Sequence, residues 1–122
     1  MTDAEDVLAA NEAFYRAFNQ RDMDLMSALW ADTDNVTCIH PGWNALEGRE
    51  RVLDSWRAIL GNPGQSRIVT GGATVSFRGD VAIVLCRELV GGSPLIATNV
   101  FAREGESWKL VHHQSGPVAS GA

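Results

Sequence analysis

Residues 67–116, RIVTGGATVSFRGDVAIVLCRELVGGSPLIATNVFAREGESWKLVHHQSG, decide the fold of this chain. Apolar and polar residues alternate along the stretch, and short breaks rich in Gly, Asp, Ser or Pro interrupt it at regular intervals. Alternation is typical of half-buried strands, and such breaks are typical of tight hairpin loops. The stretch therefore predicts a four-stranded antiparallel meander of roughly 67–77, 81–91, 95–104 and 108–116.

The preceding part of the chain, residues 7–60, predicts three helices and one short strand. Apolar residues recur at helical spacing in the first helix and in the third, which begins near Gly48. Asp22 is placed to cap a second, shorter helix, and the β-branched residues of 36–39 predict a strand. Three helices followed by a meander predict an α+β architecture with the helices packed on one face of the sheet.

Composition excludes several classes of protein. The chain has 122 residues, 45% of them apolar and 20% charged, which is typical of a single soluble globular domain over 1–122. No apolar run approaches the ~20 residues of a membrane span. A net charge of −5 argues against a nucleic-acid surface. We expect neither nucleic acid nor membrane among the partners.

The two ends and the two cysteines carry further expectations. The acidic start of the chain lacks the basic segment of a secretory signal, which favours a cytoplasmic location. Cys38 and Cys86 form no C-x-x-C pair, so we expect two reduced, buried side chains, with a disulfide as the alternative. The small residues of 118–122 predict a frayed tail.

Loop length sets the register of the meander. Hairpin loops of three residues would place Gly71, Arg87, Asn99 and His113 side by side on one sheet face, within an apolar surface. Unpaired buried polar groups cost about 1–3 kcal/mol each, so this row needs partners or a ligand. A two-residue loop would move the row to the other face.

The opposite face of the predicted sheet is also apolar. In the same register it carries a second set of side chains: Val84, Cys86, Val100, Trp108 and Leu110, with Glu88, His112 and Gln114 among them. A sheet that is apolar on both sides needs two covers, and the helices supply one. We therefore expect a homodimer through the outer sheet face, with a strongly curved, unequal-sided sheet as the alternative.

Several stretches resemble the nuclear transport factor 2-like superfamily, and its SnoaL-like branch in particular. They are NEAFYRAF at 11–18, DMD at 22–24, WAD at 30–32, IHPG at 39–42, Gly48, Trp56 and WKLVHHQS at 108–115. The resemblance covers about residues 5–117 and implies a cystatin-like cone, in which a strongly curved sheet wraps around a helix and encloses a pocket. It also implies dimerisation through the outer sheet face. The fold hosts isomerases, dehydratases, cyclases, transport factors and kinase association modules, so it does not fix the function.

Members that are ketosteroid isomerase-like suggest roles for single residues. His40 stands where those enzymes have an aspartate base before a proline, and Asn99 where they have a protonated aspartate. Their oxyanion tyrosine is matched by Phe14, with Tyr15 one residue away. The resemblance thus departs from the isomerase pattern at each of these positions.

The association domain of calcium/calmodulin-dependent kinase is similar along the meander and lines its cavity with arginines. Arg87 matches one of these arginines. Asn99 and Ser115 stand at the positions of the others, so the full anion-binding set of that domain is absent.

Three residues are predicted to be catalytic: His40, His113 and Asn99. An imidazole with an ordinary pKa near 6.5 can act as a base, and an amide can donate to a developing oxyanion. The structural alternatives are a simple turn at Pro41-Gly42 for His40 and a core histidine with satisfied hydrogen bonds for His113.

Five residues are predicted to contact a ligand: Arg87, Tyr15, Trp43, Trp56 and Ser115. The guanidinium of Arg87 suits a carboxylate or phosphate, although a salt bridge to Glu12 would also explain a buried arginine. Aromatic residues could line an apolar ligand or simply form the core. No histidine spacing typical of a metal site and no phosphate-binding loop occur, so we expect neither metal nor cofactor.

Two functions remain open. In the first, His40 and His113 perform acid–base chemistry of the isomerase, dehydratase or cyclase kind on an apolar, anionic or carbonyl-bearing molecule. In the second, the chain is a non-catalytic ligand-binding or oligomerising module. The two differ in whether His40 and His113 approach each other across open volume or whether Trp43 or Trp56 fills it.

Overall fold

The computed structural model describes residues 2–119 and contains three helices and a curved six-stranded sheet within them. The helices are α1 (Asp3–Gln20), α2 (Met23–Leu29) and α3 (Arg49–Leu60). The strands are β1 (Thr37–Ile39), β2 (Leu46–Glu47), β3 (Ile68–Arg78), β4 (Val81–Val90), β5 (Ser93–Glu104) and β6 (Ser107–Pro117). The α+β class and the four-stranded meander are confirmed, and only the two-residue strand β2 was not predicted.

The strand order is β2-β1-β6-β5-β4-β3, with β1 and β6 parallel and the other neighbouring strands antiparallel. The parallel pairing places Cys38 opposite His113. It therefore carries the residue that follows β1, His40, to the same end of the sheet as His113.

Local signals define where the helices begin. The Thr2 side chain accepts from the backbone N–H of Glu5, and the Glu5 carboxylate accepts in return from the backbone N–H of Thr2, which forms a capping box for α1. Asp22 caps α2 as predicted by accepting from the backbone N–H of Leu25 at 3.0 Å. Helix α3 begins after Gly48, whose φ of +94° is accessible to glycine and strained for other residues.

The core lies between α1, α3 and the inner, concave face of the sheet. Its largest fully buried side chains include Trp30, Phe14, Phe101, Met26 and Leu110. Burial of each such side chain contributes roughly 1.5–3 kcal/mol. Both cysteines are free and buried, as expected.

The hairpin loops hold two residues each, not three. Arg78 pairs with Val81, Val90 with Ser93, and Glu104 with Ser107. Between β4 and β5 the loop is Gly91-Gly92, with φ of +57° and +86°. Positive φ at both central residues is typical of the two-residue turn that matches strand twist, and glycine adopts it without strain.

Two β-bulges offset the shorter loops, so that part of the predicted register is still correct. Irregularities between Gly71 and Thr74 and between Val100 and Phe101 each restore one residue, so the predicted pairs Gly71–Arg87 and Asn99–His113 are confirmed. No bulge compensates between β4 and β5, where Arg87 faces Ile96 and Asn99 faces Val84. The predicted row is therefore wrong at Arg87.

This shift exchanges the two faces of β4. The side chains of Val84, Cys86 and Glu88, expected outside, are buried on the inner face, and Trp108 and Leu110 of β6 are buried as well. The outer face carries exposed or half-buried apolar residues of β4 and β5: Ile83, Leu85, Leu89, Ile96 and Val100. The outer face is thus apolar, as expected, but of the expected apolar residues only Val100 belongs to this set.

Near the end of the described residues, the backbone N–H of Val118 donates to the carbonyl of Pro94 at 3.1 Å. The frayed tail over 118–122 stays a prediction, and its residues 120–122 lie outside the described residues. None of the helices within 2–119 combines the length and apolarity needed to cross a membrane.

Candidate functional site

A cavity of about 600 Å³ opens between α3, the end of β1 and the inner face of the sheet. Four buried polar side chains define its inner end: His40, Glu88, His113 and Ser115. Asn62, Gln65 and Ser93 line it at exposed or half-buried positions. Its apolar walls include Phe18, Trp43, Trp56, Ile59, Ile68, Val90 and Leu95. No lysine or arginine lines it within the described residues. The volume suits a small organic molecule.

His113 is held by a chain of buried amides. Its Nδ1 lies 2.5 Å from Oδ1 of Asn99, the residue opposite it on β5. The amide nitrogen of Asn99 donates to Oδ1 of Asn11 at 2.8 Å and to the hydroxyl of Tyr15 at 3.1 Å. Nδ1 of His113 therefore carries the proton, and Nε2 is unprotonated and has no hydrogen-bond partner within residues 2–119.

Glu88 lines the inner end of the cavity and belongs to the same hydrogen-bond network. Tyr15 donates to one carboxylate oxygen at 2.6 Å, and Ser115 donates to the other at 2.5 Å. Glu88 forms no salt bridge with any of the described residues. The assumed three-residue loop placed Glu88 outside, although Gly91-Gly92 was the signal for the two-residue loop that turns it inward.

His40 is oriented by α3. Nε2 of His40 lies 2.8 Å from the hydroxyl of Ser55, which itself donates to the carbonyl of Val52 at 2.6 Å. Because Ser55 has only one proton, His40 donates through Nε2 and its Nδ1 is the unprotonated nitrogen. The contact of Nδ1 within the described residues is a weak one, to the sulfur of Cys38 at 3.9 Å. Sequence reasoning missed Ser55, and its only signal was a polar residue on an apolar helix face.

Burial keeps both imidazoles neutral at neutral pH. It lowers the pKa of His40 to about 4. It also lowers the pKa of His113 to about 3, with smaller contributions from His40 and His112. Burial, followed by the charge of Glu88, raises the pKa of Tyr15, so its hydroxyl stays a donor.

Aromatic side chains fix the positions of the two rings. The ring centroids of His40 and His113 lie 6.4 Å apart, and Trp56 packs against both, at 4.7 and 5.7 Å. Trp43 lies at the mouth of the cavity and is 48% exposed. The centroid of its ring is 4.8 Å from that of His40. Trp56 thus supports both imidazoles while the cavity that they line stays open.

The structure brings together most of the predicted site residues. His40, His113, Trp43, Trp56 and Ser115 line the cavity, while Asn99 and Tyr15 lie behind His113 and do not line it. Arg87 is exposed on the outer face, and no salt bridge of the described residues joins it to Glu12.

Three or more metal-ligating side chains do not converge anywhere within residues 2–119. The residues that line the cavity therefore suggest no particular metal ion.

Comparison with known proteins identifies relatives over nearly the whole chain. The family model of the SnoaL-like domain matches residues 7–120. The chain is 38% identical to a proposed dehydratase of the NTF2-like family from Streptomyces avermitilis, with 97% of each chain covered and a TM-score of 0.86. It is 35% identical to a proposed association domain of calcium/calmodulin-dependent protein kinase type II from Thiobacillus denitrificans, covering 92% and 94% of the two chains, with a TM-score of 0.84.

Two further comparisons are more distant. An NTF2-like protein with a cystatin-like fold from Novosphingobium aromaticivorans is 20% identical, with a TM-score of 0.75 over 98% of this chain and 84% of that one, which shows the fold alone. F-box protein SKIP8 of Arabidopsis thaliana is 27% identical over 118 residues, or 89% of this chain and 48% of that protein. The chain thus spans about half the length of this curated relative.

Proposed function

This chain belongs to the SnoaL-like domain family of the NTF2-like superfamily, and we propose that its cavity binds a small, largely apolar molecule on which His113 and His40 act. The observation that carries the proposal is Nε2 of His113, an unprotonated nitrogen without a partner within residues 2–119, on a ring that lines the cavity. Such a nitrogen is free to accept a hydrogen bond or a proton from a ligand.

We propose a dehydration as the reaction. Nε2 of His113 takes a proton from the carbon beside a carbonyl, a carbon–carbon double bond forms, and the bond to the hydroxyl on the next carbon breaks. The imidazolium returns its proton to the departing hydroxyl, which leaves as water. Burial lowers the pKa of His113, so it makes Nε2 a weaker base in the first half of the transfer and makes the imidazolium a stronger acid in the second half. The similarity to the proposed dehydratase supports this choice.

Residues around the two rings have supporting roles in this proposal. Asn99 and Ser55 hold the imidazoles of His113 and His40 in place, and Trp56 packs against both of them. The expectation of an anionic ligand rested on Arg87. Because that side chain lies on the outer face, the proposal does not include an anion.

A thermal-shift screen of the purified protein against small alcohols, ketones, acids, sterols and polyketide-like aromatics tests the binding. A ligand at 100 times its Kd stabilises the folded protein by about 2.7 kcal/mol. Compounds that bind are then tested on His113→Gln and on His112→Gln, a matched control at the neighbouring residue, whose ring is held on the other face by Thr37. We expect at least tenfold weaker binding in His113→Gln alone, and equal affinity in the two variants would overturn the proposal.

The reaction is tested with an aryl β-hydroxy ketone, whose conversion to the enone is followed by absorbance. Turnover by the wild type that is lost in His113→Gln supports the dehydration. Binding without turnover favours the second candidate function.

The second candidate is a non-catalytic association module that forms homodimers through its outer sheet face. The observation that favours it is the exposed apolar surface of Leu85, Leu89 and Ile96. The likeness to the proposed kinase association domain points the same way. Dimerisation is compatible with the first proposal as well, because the cavity opens on the other side of the sheet.

A further inference from the structure

We infer that the inner end of the cavity selects ligands that donate a hydrogen bond, so that an alcohol hydroxyl, and not a carboxylate or carbonyl oxygen, binds there. The inference rests on the proposed function, because it names the class of ligand for the same cavity. Its basis is a directional chain of hydrogen bonds that runs from His113 to Glu88.

The direction of the chain is set at Glu88. A carboxylate only accepts hydrogen bonds, so the Tyr15 hydroxyl, 2.6 Å from Oε2, must donate its single proton to Glu88. The Tyr15 oxygen can then only accept from Asn99, which lies 3.1 Å away. Asn99 must therefore turn its amide nitrogen toward Tyr15.

The same constraint reaches His113. With its nitrogen directed at Tyr15 and Asn11, Asn99 presents its oxygen to Nδ1 of His113, which must donate. The carboxylate of Glu88 thus holds His113 as the tautomer with a proton on Nδ1. Glu88 and Tyr15 are positioning residues, since they act on the cavity through Asn99.

The other polar side chains at the inner end already donate their protons to groups inside the protein. Ser115 donates to Glu88, and His40 donates to Ser55. The indole N–H of Trp56 has no hydrogen-bond partner within residues 2–119, but its nitrogen is fully buried, so a ligand in the cavity does not reach it. The inner end therefore offers lone pairs of His113, His40, Glu88 and Ser115 and no side-chain donor among these residues.

The acceptor-only inner end discriminates between ligands, because the amide and hydroxyl donors of Asn62, Gln65 and Ser93 line the cavity only at exposed or half-buried positions. A ligand hydroxyl can donate a hydrogen bond to these acceptors. A carbonyl oxygen has no donor to accept from and stays without a hydrogen bond, which weakens binding roughly tenfold or more. A carboxylate also meets the like charge of Glu88. We therefore expect affinity to fall from alcohol to ketone to carboxylate on one carbon skeleton.

The tautomer can be measured without any ligand, by ¹⁵N NMR of the full-length protein labelled at histidine. We expect His113 to carry its proton on Nδ1 in the wild type, and Tyr15→Phe, which breaks the chain, to shift the ring toward a mixture of tautomers. A merely structural role of Tyr15 would not change the tautomer. A proton on Nε2 of His113 in the wild type would overturn the inference whatever the cavity binds.

The ligand class is measured with α-tetralol, α-tetralone and the corresponding tetralin carboxylate, by calorimetric titration. We expect the alcohol to bind roughly tenfold or more tightly than the ketone, and the carboxylate to bind most weakly. In Glu88→Gln the carboxylate should gain several-fold in affinity, whereas Arg87→Gln, the adjacent residue on the other face, should leave all three affinities unchanged.

The outcomes separate the two proposals. A ketone or carboxylate that binds as tightly as the alcohol overturns the ligand class and leaves the cavity as a binding site. No binding by any of the three compounds contradicts both the ligand class and the proposed function.

Discussion

The imidazole rings of His40 and His113 lie 6.4 Å apart, centroid to centroid, although the two residues are 73 positions apart in the sequence. The parallel pairing of β1 and β6 brings the two residues together. Each ring donates through one nitrogen, to Ser55 or to Asn99, and keeps the other nitrogen unprotonated. Two neutral imidazoles at one cavity are the chemical feature from which the following predictions are drawn.

Stability should fall as the solution becomes acidic. The pKa of His40 is lowered to about 4 and that of His113 to about 3, whereas both are near 6.5 in the unfolded chain. Below about pH 6.5 the unfolded state binds more protons, so the stabilisation is complete above that pH and is lost as the pH falls toward the folded-state values. Between about pH 6 and 5 the two rings together lower the free energy of unfolding by up to about 2.7 kcal/mol per pH unit.

Urea unfolding of wild type and His113→Gln over this pH range measures the effect. The variant should lose about half of the slope that the two rings produce, or about 1.4 kcal/mol per pH unit. Identical slopes in the two proteins would mean that His113 is not buried in its neutral form.

Removal of the Ser55 hydroxyl should release His40. In Ser55→Ala the Nε2 proton of His40 loses its acceptor inside the protein, which costs about 1–3 kcal/mol of stability. The ¹⁵N spectrum should show His40 changing from one tautomer to a mixture. Ser66→Ala, an exposed serine, serves as the control. An unchanged His40 spectrum in Ser55→Ala would contradict the assigned orientation.

The two tryptophans at the cavity should behave differently. Trp56 is only 2% exposed, so Trp56→Ala should cost about 3–5 kcal/mol of stability. Trp43 is 48% exposed at the mouth, so Trp43→Ala should change stability by less than about 0.5 kcal/mol. It should nevertheless weaken the binding of α-tetralol several-fold, because the ligand loses that wall. Unchanged affinity would remove Trp43 from the site.

The outer face should hold the homodimer together. We expect light scattering at micromolar concentration to give twice the 13.2 kDa mass of one chain. Leu85→Lys, which places a charge in the exposed apolar surface of the sheet, should give the monomer. Asn44→Lys, at an exposed residue away from this face, should remain dimeric. A wild-type monomer would remove the predicted interface.

Much of the fold was predictable because its signals are local. The cap at Asp22, the start of α3 at Gly48 and the alternation along the meander each depend on a few neighbouring residues. The predicted Asn99–His113 pair is also correct, because the bulge after Val100 adds back the residue by which the loop is shorter than expected.

The candidate site was predicted only in part, because a small error in loop length changes the face to which every residue of a strand is assigned. A one-residue error in a loop turns every side chain of a strand to the other face, and this exchanged Arg87 for Glu88 in the cavity. The contacts of Asn11 and Tyr15 with Asn99 depend on how α1 packs across the sheet. No spacing in the sequence encodes that packing.

Whether a ligand reaches Nε2 of His113 is measured most directly by titrating the ¹⁵N-histidine-labelled protein with α-tetralol. We expect the Nε2 resonance of His113 to move and saturate with the ligand, while that of His112, on the other side of the same strand, stays in place. A saturating ligand that leaves the His113 resonance unchanged, or the absence of any binding, would contradict the proposed role of His113.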